Sequence, residues 1–262
     1  MHEREGARLG LDYAYRLIDF DRLGLDDTAL GAVIESAGEL GFSGLNVTHP
    51  FKQSVLPFLT DLSPEAAAIG AVNTIVLRDG RRIGHNTDSW GFAESFREGM
   101  QGCSLAHVLQ LGAGGAGAAV AYALLEMGAA RLTVFDKDVR RAQQLTDKLS
   151  VRFGAAIEAP AAVEPVFAQA HGIVNATPVG MAKYPGVPFD AGLLSAGHWV
   201  AEIVYFPAET ELLRQARRRG CRTLAGLGMA IYQAVRAFEL FTGLQPDRAA
   251  MAEHFAQGGV AG

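Results

Sequence analysis

The run Gly112-Ala113-Gly114-Gly115-Ala116-Gly117 spaces its glycines as a phosphate-binding loop requires. One glycine makes the sharp turn, one lets the backbone approach a pyrophosphate, and one lets a helix pack close to a strand. The N–H groups that open the following helix, together with its dipole, would hold the phosphate. Glycine-rich turns are common, so the spacing alone is weak. Here residues 107–111 read as a strand before the loop, residues 118–127 as an apolar helix after it, and the strand Leu132-Thr133-Val134-Phe135 runs into Asp136. An acidic residue about 20 positions past such a loop is placed to bind a ribose 2′-hydroxyl. The chemistry to expect is that of a dinucleotide, and redox chemistry on a nicotinamide needs a second group that exchanges a proton with the substrate's oxygen. Lys52 and Asp88 are the candidates. Either alone reads as an ordinary surface charge. Set together at a cleft mouth, the carboxylate would orient the amine for proton exchange with an alcohol. Desolvation favours a neutral amine and a carboxylate opposes it, and the residue types leave that balance open.

The elements that must position these residues follow in order. Residues 1–10 read as a helix, and residues 13–20 alternate as a strand should. Residues 27–40 form an amphipathic helix, with Asp27 and Thr28 at its start and Gly41 past its end. Ser43-Gly44-Leu45-Asn46-Val47 is a short strand, and Thr48-His49-Pro50-Phe51-Lys52 a turn into another helix whose first turn suits Pro50. A helix from Ser63-Pro64-Glu65 gives way to a strand over 70–77, with Asp79-Gly80 as the hairpin turn into Arg81-Arg82-Ile83-Gly84. A helix entered at His85-Asn86-Thr87-Asp88 and running to about Gly99 is expected to bridge two domains. Beyond it strands and helices alternate: helix 139–150, strand 155–158, helix 163–170, strand 172–175, a loop over 176–186, strand 198–205 and helix 210–219. Such alternation predicts a parallel, doubly wound sheet. Residues 225–241 and 247–255 read as helices that fold back on the first domain. The expected fold class is α/β in two domains. An α/β substrate domain spans 1–101 and is completed by C-terminal helices over 225–262, and a Rossmann-like doubly wound parallel sheet spans 102–224.

Composition bounds the function. A chain of 262 residues, 49% hydrophobic with a mean hydropathy of +0.14, can bury two cores, which excludes disorder. Its net charge of −5 is scattered, without a basic stripe to attract nucleic acid or an anionic membrane. The basic run Arg217-Arg218-Arg219 precedes Gly220, where a helix end favours cations. Cys103 and Cys221 form no spaced framework, as in a reducing compartment. With no signal-peptide pattern and no long apolar run, a cytoplasmic protein is expected. The histidines show no metal-ligand spacing, so no metal is expected; His49 and His85 read as structural hydrogen-bonding residues. No nucleophile elbow supports hydrolysis.

Further strings carry a resemblance. Asn46-Val47-Thr48-His49-Pro50-Phe51-Lys52, Gly70-Ala71-Val72-Asn73-Thr74, Asn86-Thr87-Asp88-Ser89-Trp90-Gly91, the glycine loop, Asn175-Ala176-Thr177-Pro178-Val179-Gly180-Met181 and Gly226-Leu227-Gly228-Met229-Ala230-Ile231-Tyr232-Gln233 stand in this order over nearly the whole chain. In this the sequence resembles the shikimate dehydrogenase family. The resemblance implies reversible oxidation of a ring hydroxyl on a small cyclitol carboxylate, shikimate or a close relative, with a nicotinamide cofactor. By the same match Lys52 would exchange the proton with Asp88 as its partner. Thr48, Asn73, Tyr205 and Gln233 would hold substrate hydroxyls, and Thr177, Ile203 and Gly226 would line the cofactor. A monomer or homodimer is expected.

Two departures from the family pattern matter. Biosynthetic, NADP-using members carry Asn-Arg-Thr after the second nucleotide-domain strand, where this chain has Phe135-Asp136-Lys137-Asp138. A carboxylate there repels a 2′-phosphate and accepts from a free ribose, so NAD is expected over NADP. Arg140 and Arg141 lie close by, and an arginine near this site can serve a phosphate or the adenine face. In the NAD-using quinate/shikimate branch, which the strings around Lys52 and over 198–211 also resemble, an arginine at the place of Arg141 accompanies NAD. The second departure is that family members begin with a strand and a Ser-x-Ser-Pro or Ser-x-Thr-Pro turn that holds the substrate carboxylate, and Met1-His2-Glu3 starts just after it. Loss of a strand from within a sheet would expose ladder groups, so Met1 is not expected to be the start of the functional chain. Quinate and shikimate both remain open as substrates. The alternatives are an NADP-linked biosynthetic shikimate dehydrogenase and, in another class, a non-catalytic dinucleotide-binding or regulatory protein. Retention of both Lys52 and Asp88 argues against the last.

Overall fold

The computed structural model describes residues 1–257. The chain divides into two compact units, Met1–Thr87 with the stretch from Gln233 onward, and Asp88–Tyr232.

The first unit opens with α1 (His2–Arg8), α2 (Phe20–Leu23) and α3 (Leu30–Glu39). Next come β1 (Gly44–Asn46), β2 (Asp61–Leu62), α4 (Pro64–Ile69), β3 (Thr74–Arg78), β4 (Arg81–His85) and the start of α5 (Thr87–Gly99). Its sheet has the order β1-β3-β4-β2. The β3–β4 hairpin closes on Asp79 and Gly80, both at positive φ (52° and 72°), the backbone that a two-residue turn between twisted strands requires. Alternation along β3 sends neighbours to opposite faces. Ile75 packs with Leu30 and Ile34 of α3 and Ala66 of α4, whereas Val76 packs with Ala237 and Phe241 from the C-terminal part of the chain.

Two expectations fail in this unit. Residues 13–20 join no ladder among the described residues, despite their alternation. They are held by side chains instead: the Tyr15 N–H donates to Glu3 Oε1 (2.9 Å), the Tyr13 ring stacks on Phe238, and Gly6 packs against Tyr13. An alternating pattern supplies a strand's faces but not its partner. Nor is there a regular helix after Thr48. The His49–Pro50 bond is cis, successive turns follow, and the only helical piece is a 3₁₀ turn at Leu56–Phe58. The Lys52 carbonyl, which a helix would use four residues on, accepts the Val72 N–H (2.8 Å), and Leu56 N–H reaches back only to Gln53 O.

The second unit continues through α5 into β5 (Val108–Leu111), α6 (Gly115–Glu126), β6 (Leu132–Phe135), α7 (Val139–Phe153), β7 (Ile157–Glu158) and α8 (Glu164–Phe167). It is completed by β8 (Gly172–Asn175), β9 (Trp199–Glu202), α9 (Glu211–Arg218) and β10 (Arg222–Leu224). All pairings are parallel, in the order β10-β9-β8-β5-β6-β7, the doubly wound arrangement in which the order reverses beside β5. Leu109, Ile173 and Val200 of the central strands pack with Phe167 of α8 and Leu212 and Ala216 of α9. The edge strand β10 was not expected from the sequence, being short and only partly buried. The expected helix over 163–170 contracts to α8.

The last helices are α10 (Leu227–Thr242) and α11 (Arg248–Gln257). In the first unit, Gly44 of β1 lies against Phe241 of α10, the Arg78 guanidinium donates to Leu240 O, and the Asp247 N–H, at the head of α11, donates to the fully buried Glu5 carboxylate of α1 (2.6 Å).

Candidate functional site

In the second unit β5 delivers the chain, fully buried, to a loop whose backbone only glycine can follow. Gly112 has φ +100° and donates its N–H to Phe135 O (2.8 Å); a Cβ there would stand 2.5 Å from Ala176 O. A Cβ on Gly117 would strike the Gly112 carbonyl, so the first turn of α6 sits directly on the loop. Gly114 and Gly115, by contrast, have open space where side chains would be. A pyrophosphate-sized group can therefore approach the backbone at the helix N-terminus, where unpaired N–H groups and the dipole favour an anion. Gln110, in the middle of buried β5, braces the loop by donating to both Gly112 O (2.9 Å) and Gly117 O (2.8 Å). A polar residue in an apolar strand directly before the glycines was the signal in the sequence, and the sequence reading passed over it.

Asp136, at the end of β6, accepts the Ala113 N–H on Oδ2 (2.8 Å) and the Asp138 N–H on Oδ1 (2.9 Å). Its carboxylate is thus fixed against the glycine loop. Asp138 caps α7 by accepting the Arg140 N–H (3.1 Å) and draws in both arginines, Arg140 at 3.5 Å and Arg141 at 3.8 Å. Both side chains are well exposed, so neither ion pair is a strong tether.

Thr177, Ile203 and Gly226 collect at the carboxyl ends of β8 and β9, where open α/β sheets take their ligands. Thr177 is half-buried, its N–H (3.0 Å) and hydroxyl (2.7 Å) both donating to Asn175 Oδ1. Ile203 donates its N–H to Asn175 O (3.1 Å), and buried Gly226 lies against Ile203 so closely that a Cβ would meet its carbonyl at 2.5 Å. Tyr205 is exposed, three residues past β9, and Asp88 is buried in the first turn of α5.

Lys52 and Asn73 come together in the first unit with the chain next to Thr48. The Val47 N–H donates to Asn73 O (2.7 Å) and the Val72 N–H to Lys52 O (2.8 Å), which locks the Thr48 turn and Lys52 onto the lead-in to β3. Thr48 is exposed and Lys52 half-buried. Asn73, buried, spends its side chain on Thr87: Oδ1 accepts the Thr87 N–H (2.8 Å) and Nδ2 donates to its hydroxyl (3.0 Å). Asn73 thereby caps the start of α5. Gln233 is half-buried on α10. Among the described residues no group of three or more His, Cys, Asp and Glu could hold a metal, and no helix is long and apolar enough to cross a membrane.

A doubly wound sheet with a glycine loop and an acidic residue held against it, in a chain whose other, smaller α/β unit carries Lys52, defines an NAD(P)-dependent oxidoreductase. Comparison with known proteins narrows the class. Residues 1–75 match the shikimate dehydrogenase substrate binding domain and residues 226–254 the shikimate 5′-dehydrogenase C-terminal domain. The chain is 54% identical to the shikimate dehydrogenase (NADP(+)) of Streptomyces avermitilis over 260 residues, 98% of this chain and 89% of that protein. It is 49% identical to the quinate/shikimate dehydrogenase (NAD(+)) of Corynebacterium efficiens over 256 residues, 94% of this chain and 88% of that protein. The structure superposes on the quinate dehydrogenase of Corynebacterium glutamicum in complex with NAD with a TM-score of 0.92 and 47% identity, covering 98% of this chain and 92% of the other. The chain belongs to the shikimate dehydrogenase family. Relatives named for NAD and for NADP stand at similar identity, so the choice of cofactor has to be argued from residues.

Proposed function

We propose that the protein catalyses the reversible, NAD-dependent oxidation of a ring hydroxyl of quinate, shikimate or both to the 3-dehydro ketone. The observation that carries the choice of cofactor is the Asp136 carboxylate, held 2.8 Å from the Ala113 N–H of the glycine loop. A carboxylate so placed accepts hydrogen bonds from a free ribose and repels a 2′-phosphate. Asp138, two residues on, adds a second negative charge, with Arg140 and Arg141 in loose ion pairs to it at 3.5 and 3.8 Å. The resemblance to enzymes named for quinate and NAD supports the same reading. NADP is the second reading, favoured by the exposure of those two arginines and by the relative named for NADP.

In this reading residues 102–224 bind the dinucleotide, and residues 1–101 with 225–262 bind the acid. Residues 112–117 hold the pyrophosphate, Asp136 and Arg141 the adenosine end, and Thr177, Ile203 and Gly226 the nicotinamide end. Thr48, Asn73, Tyr205 and Gln233 orient the ring hydroxyls. The bound nicotinamide supplies the hydride acceptor. Lys52 takes the proton of the hydroxyl being oxidised, and returns it in the reverse direction, with Asp88 as its acidic partner. Proton transfer by a positioned group contributes about 10²–10⁴-fold to such a reaction. Lys52→Ala is therefore expected to lower kcat by about a hundredfold or more, with NAD affinity unchanged because Lys52 lies outside the nucleotide-binding unit. Unchanged turnover would refute the role of Lys52.

A further inference from the structure

Glu202 is a carboxylate at the last position of a buried strand, 2% exposed, and it pairs in register with Asn175 at the end of the neighbouring strand. Three donors converge on it. Asn175 Nδ2 lies 2.9 Å from Oε1 and 3.0 Å from Oε2, the Val204 N–H donates to Oε1 (3.0 Å), and the Thr210 hydroxyl donates to Oε2 (3.1 Å). Each belongs to a different segment. Asn175 opens the loop that carries Thr177, Val204 follows Ile203, and Thr210 is the N-cap of α9. Gly180, in the Thr177 loop, also approaches the carboxylate so closely that a Cβ would meet Oε2 at 3.4 Å.

The chemistry of the donor set fixes more than distance. A carboxylate only accepts, and so does the Val179 carbonyl 2.9 Å from Asn175 Nδ2; together they oblige Asn175 to present its amide nitrogen, and Asn175 Oδ1 is left to receive the Thr177 N–H and hydroxyl. Burial pushes the Glu202 carboxyl up to about 7, against the opposing pull of the Asn175, Val204 and Thr210 donors. A buried carboxylate costs stability even when hydrogen-bonded, so stability alone does not account for it.

We propose that Glu202 is a positioning residue for the dinucleotide, its carboxylate holding the Thr177 loop and the backbone of Ile203 and Val204 in their binding geometry. The inference rests on the reading that Thr177 and Ile203 line the cofactor. Glu202→Gln keeps the shape but replaces one acceptor by a donor. The NH₂ of residue 202 must then face one of the donors Asn175, Val204 or Thr210, or Asn175 must turn its NH₂ toward the Thr177 N–H and its oxygen toward Val179 O; either way like groups meet.

Calorimetric titration with NAD and with NADP, together with steady-state kinetics and urea unfolding, tests it. In E202Q the dissociation constant of the dinucleotide that wild type binds is expected to rise about tenfold or more, with KM for the acid within about twofold. The exchange variant N175D/E202Q returns a carboxylate to the Thr177 side and an amide donor to the other, and should recover part of the lost affinity, the Val179 carbonyl having lost its donor. Thr210→Val, which removes one donor from Glu202 along with the N-cap of α9 but keeps the methyl-sized contact with Gly180, should weaken binding by about threefold and carries the test if E202Q does not fold. A variant that unfolds at lower urea yet binds the dinucleotide as wild type does would overturn the proposal, leaving Glu202 structural. Failure of the wild type to bind either dinucleotide would overturn the cofactor reading beneath it.

Discussion

Replacing Asp136 by Asn removes one negative charge from the place where, in the proposed reading, the two dinucleotides differ. In the wild type both carboxylate oxygens already accept a backbone N–H, from Ala113 and from Asp138. Asn keeps one oxygen, so one of those N–H groups loses its acceptor and the loop slackens, which costs about 1 kcal/mol for a group that water can partly reach. Hydrogen bonds to a charged acceptor contribute about 1.5–3 kcal/mol against about 0.5–1.5 for a neutral one. NAD is therefore expected to lose about 1–2 kcal/mol, a rise in KM of about 5- to 30-fold. For NADP the sign reverses. A 2′-phosphate of charge about −2 at about 5 Å from a carboxylate in a water-like dielectric is repelled by about 1.5 kcal/mol, and Asn relieves that repulsion. The ratio of kcat/KM with NAD to kcat/KM with NADP should fall by about 60- to 400-fold, measured by initial rates at fixed low salt because screening weakens the repulsive part. A ratio unchanged by D136N would refute the argument that the carboxylate selects the cofactor, whatever the wild-type preference.

Other substitutions test the supporting geometry. Asn73→Ala leaves the Thr87 N–H without its acceptor and the Thr87 hydroxyl with only Thr74; a loss of about 1–2 kcal/mol of stability in urea and a raised KM for the acid are expected, with NAD affinity unchanged. Gly112→Ala forces a side chain into a left-handed backbone and against Ala176 O, and should cost about 2 kcal/mol or more and abolish dinucleotide binding; retention of both would contradict the loop geometry. The Glu202 carboxyl, raised to about 7 by burial, makes the folded state hold a proton that the unfolded chain releases near its ordinary value of 4.5. Its contribution to stability is therefore greatest below the unfolded value, falls as the pH rises toward about 7, and is level above. The total is on the order of 3 kcal/mol. Urea midpoints of the wild type relative to E202Q, followed between about pH 5 and about pH 8, should decline with rising pH; a flat difference would contradict the burial argument.

The fold of the second unit was legible because its signals are local. A strand, three spaced glycines, an apolar helix and a second strand ending in Asp136 each declare themselves within a few residues, and alternation did the rest. The first half was harder to read, since its strands depend on partners distant in sequence. Residues 13–20 had the alternation of a strand and found no ladder, while β2 and β10 had too few residues to show any pattern. Pro50 suited a helix start until the Lys52 carbonyl was drawn across to Val72. In the site, Gly112, Gly114, Gly117 and Asp136 could be read from spacing, whereas Thr177, Ile203 and Gly226 came forward only through resemblance, because their places are set by backbone contacts between strand ends. Glu202 and Gln110 were missed for a related reason. Each is a polar residue inside an apolar strand, and what distinguishes it is the set of groups converging on it in space.

The most direct test of the central claim is the steady-state oxidation of quinate and of shikimate by the wild-type protein, each with NAD and with NADP. The account predicts turnover of at least one acid with NAD, at a kcat/KM that exceeds the NADP value for the same acid by about tenfold or more. A higher kcat/KM with NADP for both acids would contradict the reading of Asp136. Dinucleotide binding without turnover of either acid would contradict the assignment of this chain as a quinate or shikimate dehydrogenase.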